Sequence, residues 1–479
     1  MKKILRNLFF YVKSLWSAWI KALNTLWYYK LGDIMERIKS NRFTHRILLG
    51  SVLFGLFFGA GNLIFPVKVG QLAGNNMNIA TLGFSITAVL LPVLGVIFCA
   101  TSESETLESL LVGFGKKYAR FFNTVLLLTI GPFFALPRTA TVPYEVGVSH
   151  LFPNINQKLG LFIYTLIFFT IALNMALRPG KVKEIIGKFI NPLFLTCLFL
   201  FFVLFFVKTM GPIDPIVPDP AYGERAFITS FVYGYQTMDL LAALVFTYVV
   251  ISVNDFSSDG NKRSAVLDLV YSGIFAGIML MAIYYVLTVI AVSSRNIFDT
   301  AANGGIALGQ IFNHYLGKLG TAFFVITITL ACIKTATGLT IACANYFHSL
   351  FPKINYRQFV FIFITAGVFV ANIGLTAIIY FAVPVLNFIY PLAIMHVIYG
   401  LIFKHENIVR NKYVLYFTMI GAILELIASF PNLIASSNLL TNTLALYHNL
   451  PLARFGIEWV NFTIIGLIIG SLISRIKSK

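Results

Sequence analysis

The chain has 479 residues, of which 58% are hydrophobic and only 11% charged, with a mean hydropathy of +0.83. A soluble chain carries about a quarter charged residues and at this length would divide into several domains with charged surfaces; this composition excludes a soluble enzyme, a nucleic-acid-binding domain and a secreted disulfide scaffold. The net charge of +18 and pI near 9.7 would suggest nucleic acid in a soluble protein, but in a membrane protein the same excess belongs to cytoplasmic loops.

Residues 1–46 stand apart, with ten basic and two acidic side chains. Apolar residues recur there at Leu5, Leu8, Phe9, Val12, Leu15, Trp16, Trp19, Leu23 and Leu26, close to a helical period. Lys2, Lys3, Arg6, Lys13 and Lys21 interrupt the run. Two readings fit: a basic amphipathic helix on the inner membrane face, or residues added by a misassigned start codon and missing from the mature protein. A cleaved signal peptide fits poorly, because no compact apolar core ends in a small-residue site.

A helix crossing the bilayer needs about 20 mostly apolar residues. Twelve such stretches follow, at about 47–72, 79–99, 119–147, 159–177, 189–209, 226–252, 265–292, 319–346, 358–373, 375–401, 413–431 and 457–474. They lack the alternation of barrel strands. With the N-terminus inside, 27 basic residues fall on inner segments and five on outer ones, the other four lying in or beside spans. That split predicts cytoplasmic termini. Cys99, Cys197, Cys332 and Cys343 all lie in apolar stretches without metal spacing and read as small buried side chains.

Span one carries Gly55, Gly59, Gly61, Asn62 and Pro66 in its middle. Glycine costs a helix about 1 kcal/mol and proline about 3, and broken backbone at membrane depth is tolerated only within protein or around a cavity. An unwound stretch is expected at Phe58–Asn62; the alternative is close helix packing through small residues. Span six carries Tyr233, Gly234, Tyr235, Gln236, Thr237 and Asp239. A mid-membrane carboxylate is expensive and usually functional, though Asp239 could instead pair with a base or cap a half-helix. The two interruptions are five spans apart and enter from opposite sides. That pattern points to an inverted-repeat transporter: a first repeat at 47–209, a second at 226–401, and two further helices within 413–474. The expected fold is an all-α integral membrane protein of twelve transmembrane helices, five plus five, broken in helices one and six.

The stretches GLFFGAGNLIFP (55–66), LPRTATVPYEVG (136–147), YGYQTMDLLAALVF (233–246) and ACIKTATGLTIACANYF (331–347) resemble the bacterial branched-chain amino acid:cation symporters, in order and over about 45–475. The resemblance implies the fold of the leucine-type sodium symporters. It also implies import of leucine, isoleucine and valine across the bacterial plasma membrane with sodium or protons, and no other cofactor. By the same analogy the substrate carboxylate would meet the amides of Gly59, Ala60, Gly61 and Asn62. Its ammonium would meet carbonyls of Tyr233, Gly234 and Tyr235, and its side chain would sit among Phe57, Phe58, Phe133, Phe134 and Tyr235.

In sodium-coupled relatives of that fold, a carbonyl and hydroxyl residues three and four positions later hold sodium against helix one. That spacing falls here on Ala331, Lys334 and Thr335. Thr335 keeps a ligand; Lys334 offers an ammonium with three donors and no acceptor. The expectation is that Lys334 replaces the sodium as a tethered cation and that protons drive transport, with Lys334 or Asp239 as carrier, since a buried lysine titrates readily. A structural Lys334 is the alternative. Arg138 and Glu145 lie seven residues apart, about 10 Å along a helix; they are gate candidates or members of ion pairs, and could meet directly only if the helix breaks at Pro137 or Pro143. Glu425 is expected at a peripheral polar contact or subunit surface, and Asn387 and Tyr390 along the outer path. The segment 293–320 reads as an external lid helix, with His314 an exposed loop histidine.

Other functions find little support. No repeated carbonyl filter suggests a channel. HExxH, GxSxG and GxxxxGK are all missing from the sequence, which leaves no signature of a membrane enzyme or of ATP as energy source. A transporter-derived sensor would differ from a carrier only in failing to accumulate substrate. Nothing in the sequence sets an oligomeric state.

Overall fold

The structure, a computed structural model, describes residues 42–102, 104–178, 191–253, 262–403, 407–435 and 437–477. Nearly all of the basic N-terminal segment therefore lies outside the described residues.

The first span is two helices. α1 (Arg42–Phe57) ends as Phe58 and Gly59 leave helical geometry, and α2 (Ala60–Ala73) begins directly after them. The break is shorter than expected: Ala60, Gly61 and Asn62 form the first turn of α2. The reason is local. Gly59 takes an extended conformation as N-cap, and its amide donates to Asn62 Oδ1 at 2.8 Å. The second span runs through α3 (Met77–Ser85), a wide turn at Ile86–Leu90 and α4 (Leu91–Thr101). The third starts as α5 (Lys116–Leu128), kinks at Gly131 (φ −85°, ψ −122°) beside Pro132, and resumes as α6 (Ala135–Pro143). The kink thus falls before Pro137 and Pro143. Pro137 sits in the first turn of α6, where a missing N–H costs nothing. Two more spans follow, α7 (Gln157–Ala176) and α8 (Asn191–Val207).

The second half opens on the second break. α9 (Ala226–Tyr233) tightens into a 3₁₀ turn at Gly234–Thr237, Met238 turns left-handed (φ 61°), and α10 (Asp239–Val253) starts at the carboxylate. Met238 is the one non-glycine with positive φ among the described residues. Gly234 is required by approach: a Cβ there would lie 1.9 Å from Thr87 Oγ1. α11 (Lys262–Ser294) follows, packed along α1 and α2. Arg46 on α1 pairs with Asp268 on α11 at 2.6 Å.

The expected lid is a helix. α12 (Gly304–Leu350) is divided at Gly317 (φ 58°), which separates a short lid from the eighth span. Asn303 Oδ1 caps the lid by accepting from Gly305 N at 2.8 Å and Ile306 N at 3.0 Å. The lid seats on α2 so closely that a Cβ on Gly304 would lie 1.8 Å from Ile64 O. α13 (Tyr356–Ala371) and α14 (Leu375–Phe403) complete the second half. α15 (Ile408–Ala428) and α17 (Trp459–Lys477) then pack together outside it, joined through the short α16 (Asn438–His448).

Eight helices among the described residues are long and apolar enough to cross a membrane, and α8, α10 and α13 are shorter apolar helices. No strand occurs among the described residues. Phe199, Phe206, Phe162 and Ile167 are exposed, as side chains facing lipid are. The four cysteines are free and buried, as expected.

Candidate functional site

The two breaks face each other across a tight cavity, of about 50 Å³ accessible to water. Its polar wall is Gly59, Ala60, Gly61, Asn62, Arg138, Thr139, Thr237, Asp239 and Thr335; its apolar wall is Phe57, Ile130, Ala135, Met238, Ala242, Phe246 and Leu339.

Asn62 ties the breaks together. Its Oδ1 holds the Gly59 amide of break one. Its Nδ2 donates to Asp239 Oδ2 of break six at 2.6 Å and also meets the Tyr284 hydroxyl, which itself donates to Asp239 Oδ2 at 3.1 Å. Asp239 and Arg138 are each only 2% exposed. Arg138 Nη1 donates to Gln236 O at 2.8 Å, its guanidinium carbon lies 5.2 Å from the centre of the Phe65 ring, and its charge and that of Asp239 act on each other. Arg138 and Glu145 do not meet. Glu145 Oε2 accepts from Asn303 Nδ2 at 2.7 Å, and the same nitrogen donates to Thr376 Oγ1 at 2.9 Å. Glu145 thus ties the third span to the lid and to α14, while Arg138 belongs to the central cavity.

Several expected contacts fall elsewhere. Phe133 is 48% exposed, because the kink at Gly131 turns it outward. Phe134 is buried beside it, outside the cavity wall. Tyr233 packs edge-on to Phe65, and Tyr235 stacks on Tyr390 with centroids 4.2 Å apart; neither ring lines the cavity. The carbonyls of Gly234 and Tyr235 are engaged within their own turn, by the Thr237 hydroxyl and the Met238 amide. Asn387 donates to Ser429 Oγ at 3.0 Å rather than to the cavity. Glu425 makes a peripheral polar contact, accepting from the Tyr447 hydroxyl. His314 is exposed, on the lid helix rather than in a loop. Sequence reasoning missed Tyr284, Ile130, Met238, Ala242, Phe246 and Leu339. Apolar residues at helical spacing are everywhere in this chain, and only the packing selects these.

A second, smaller pocket lies behind break one, lined by Phe54, Gly55, Phe58, Phe194, Leu195, Ala331 and Lys334. Phe58 belongs there and not in the main cavity. Lys334 Nζ donates to Gly55 O at 2.9 Å. That carbonyl would take the Gly59 amide in an unbroken helix, but the amide has turned to Asn62. The lysine therefore caps a carbonyl released by the break, at the negative end of α1. Thr335 Oγ1 donates to Ala331 O at 3.3 Å, and Thr335 also lines the main cavity. Among the described residues no group of His, Cys, Asp and Glu suits a transition metal.

Two interrupted helices opposed across a buried polar cavity, with a lid over one end, define a secondary transporter of the five-plus-five, leucine-transporter-like class. The solved fold of Mhp1, a nucleobase-cation-symport-1 family transporter in a closed conformation with bromovinylhydantoin bound, aligns with a TM-score of 0.58 at 12% identity, covering 90% of this chain and 92% of that one. Such a likeness speaks to fold alone. The chain belongs to the family described as branched-chain amino acid transport protein, which it matches over residues 42–477. It is 39% identical to the branched-chain amino acid permease BrnQ of Lactobacillus delbrueckii subsp. lactis, over 86% of this chain and 93% of that one. It is 33% identical to BrnQ of Bacillus subtilis (strain 168), over 90% and 97%. It is thus a multi-pass membrane transporter and not an enzyme.

Proposed function

We propose that the chain imports leucine, isoleucine and valine across a bacterial plasma membrane, with both termini cytoplasmic, driven by protons rather than sodium. The observation that carries the coupling ion is the Lys334 ammonium on the Gly55 carbonyl. An ammonium there repels a second cation and satisfies the oxygen that would otherwise help to hold one.

The substrate carboxylate meets the Ala60 and Gly61 amides at the start of α2 and the guanidinium of Arg138. The Gly59 amide is already engaged. The ammonium meets the Thr237 carbonyl side of break six, and the aliphatic side chain lies against Phe57, Ile130, Phe246 and Leu339. Asp239 carries the proton. With Asp239 ionised, Arg138 has a counter-charge. With Asp239 protonated, Arg138 lacks one and draws in the substrate carboxylate. Proton and substrate therefore favour each other's binding, and by linkage the effect is mutual. The breaks then let each half rock about the filled site.

The test is uptake of labelled isoleucine into proteoliposomes with sodium and proton gradients imposed separately, for wild type and Lys334→Thr. Accumulation in wild type by a proton gradient without sodium is expected, with Lys334→Thr gaining a sodium response. Wild-type accumulation that requires sodium would sink the coupling assignment and leave Lys334 structural. Absence of isoleucine uptake under either gradient would move the substrate to another neutral amino acid.

A further inference from the structure

The two oxygens of Asp239 have different surroundings. Oδ2 is held by two donors at once. Asn62 Nδ2 donates to it at 2.6 Å and the Tyr284 hydroxyl at 3.1 Å, and the same Asn62 nitrogen also donates to the Tyr284 oxygen. The three groups close a ring in which every step is a hydrogen bond. An amide nitrogen supplies two donors and a phenol one, so the ring uses all three and fills both lone pairs of Oδ2. The ring is held in place from outside. Tyr284 is fully buried, edge-on to Phe84 with centroids 5.3 Å apart, and Asn62 also holds the Gly59 amide. Tyr284 comes from α11 and lies behind the cavity wall, whereas Asp239 and Asn62 form part of it.

The second observation is the other oxygen. Thr237, the remaining polar neighbour at the start of α10, gives its hydroxyl to Gly234 O at 3.0 Å. Arg138 gives Nη1 to Gln236 O at 2.8 Å, and no ion pair reaches Asp239 among the described residues. Oδ1 therefore accepts no hydrogen bond among the described residues. With Oδ2 turned back to Tyr284, Oδ1 is the oxygen that the cavity meets. A buried carboxylate oxygen with neither a donor nor a cation on it is where a proton is most readily taken. The titratable groups facing Asp239 are Arg138 from α6, Tyr284 from α11 and Tyr390 from α14. Arginine and tyrosine ordinarily titrate well above neutral pH, which leaves the carboxylate as the member of this set that exchanges a proton.

We propose that Tyr284 is the positioning residue of the proton site: with Asn62 it reserves Oδ2 as an acceptor, so that the proton binds Oδ1 and enters and leaves through the substrate cavity. On loading, a hydronium ion in the cavity gives one proton to Oδ1, leaving water and a neutral acid; release runs the other way. No other reactant is needed. Substrate then settles over the loaded oxygen. Because both use one cavity, the proton binds before substrate on the outside and leaves after it on the inside. This rests on the proton-coupled reading above.

The experiment uses the full chain in proteoliposomes, with wild type, Tyr284→Phe and Asp239→Asn. Initial rates of isoleucine uptake are measured over a series of isoleucine concentrations and external pH values, with the internal pH held. In wild type, KM is expected to rise about tenfold per pH unit on the alkaline side of its midpoint, because one proton must bind ahead of substrate, while the maximal rate stays constant. Tyr284→Phe takes one donor from the ionised carboxylate and favours the neutral acid, so the midpoint is expected to move about one to two pH units alkaline. In Asp239→Asn, KM is expected to lose its pH dependence, with or without Tyr284→Phe. A Tyr284→Phe midpoint at the wild-type pH would overturn the positioning role, since a merely structural tyrosine changes rate or stability and leaves the midpoint in place. A wild type whose pH dependence lies in the maximal rate at constant KM would overturn the cavity route, and that measurement needs no variant to fold. Accumulation that ignores the proton gradient removes the underlying proton-coupled reading, and shows itself in wild type before any KM is compared.

Discussion

Asn62 offers the sharpest perturbation. It accepts from the Gly59 amide at 2.8 Å and donates to Asp239 Oδ2 at 2.6 Å, so one side chain sets the geometry of both breaks. Asn62→Asp keeps the volume and the acceptor for Gly59 but turns the donor into an oxygen facing a carboxylate. Loss of a hydrogen bond to a charged group costs about 1.5–3 kcal/mol, and each 1.4 kcal/mol is about tenfold. The lost bond alone predicts about a ten- to hundredfold slower uptake. Repulsion between two carboxylates about 4 Å apart adds up to about 4 kcal/mol near a protein surface, so the combined effect can reach about a hundred-thousandfold. Asn62→Ala loses the bonds without adding charge and should stop at about the ten- to hundredfold level. Initial rates of isoleucine uptake, normalised to monodisperse protein in the vesicles, measure both. An Asp variant as fast as wild type, or faster than the Ala variant, would refute the role assigned to Asn62 as the donor between the breaks.

Two further outcomes follow from the placement of side chains. Phe246→Ala should weaken isoleucine binding by about 1–3 kcal/mol, or about ten- to a hundredfold, whereas Phe133→Ala should leave it within about twofold, because Phe246 lines the cavity and Phe133 is 48% exposed; equilibrium binding in detergent compares them, and equal losses would place the cavity wrongly. Gly304→Ala sets a methyl 1.8 Å from Ile64 O, a backbone atom that cannot rotate away, so the lid must lift at a cost of about 1–3 kcal/mol or more; uptake should fall while the rest of the chain still folds, and unchanged uptake and thermal stability would show that the lid does not close on α2.

The composition and the glycine, proline and polar interruptions in spans one and six were enough to specify a membrane transporter of helices with two opposed breaks. These are one-dimensional signals: helix length against bilayer thickness, and backbone that cannot stay helical. The position of Lys334 against helix one was implied by the resemblance to sodium-coupled relatives of the fold, carried onto this chain through a spacing of three and four residues along one helix. Its partner was not. That the freed carbonyl is Gly55 O follows from the Gly59 amide turning to Asn62, a choice made by packing. The aromatic pocket was the least legible part. With 47 phenylalanines in the chain, apolar character carries no information about which one faces substrate. The kink at Gly131, six residues before the first of the two prolines that drew attention, turned Phe133 outward and left Ile130 and Ala135 on the wall. Likewise Arg138 and Glu145, neighbours on one helix face by periodicity, serve different places because Asn303 and Gln236 arrive from distant parts of the chain. Sequence spacing decides which residues share a helix face; only the meeting of helices far apart in the chain decides what that face meets.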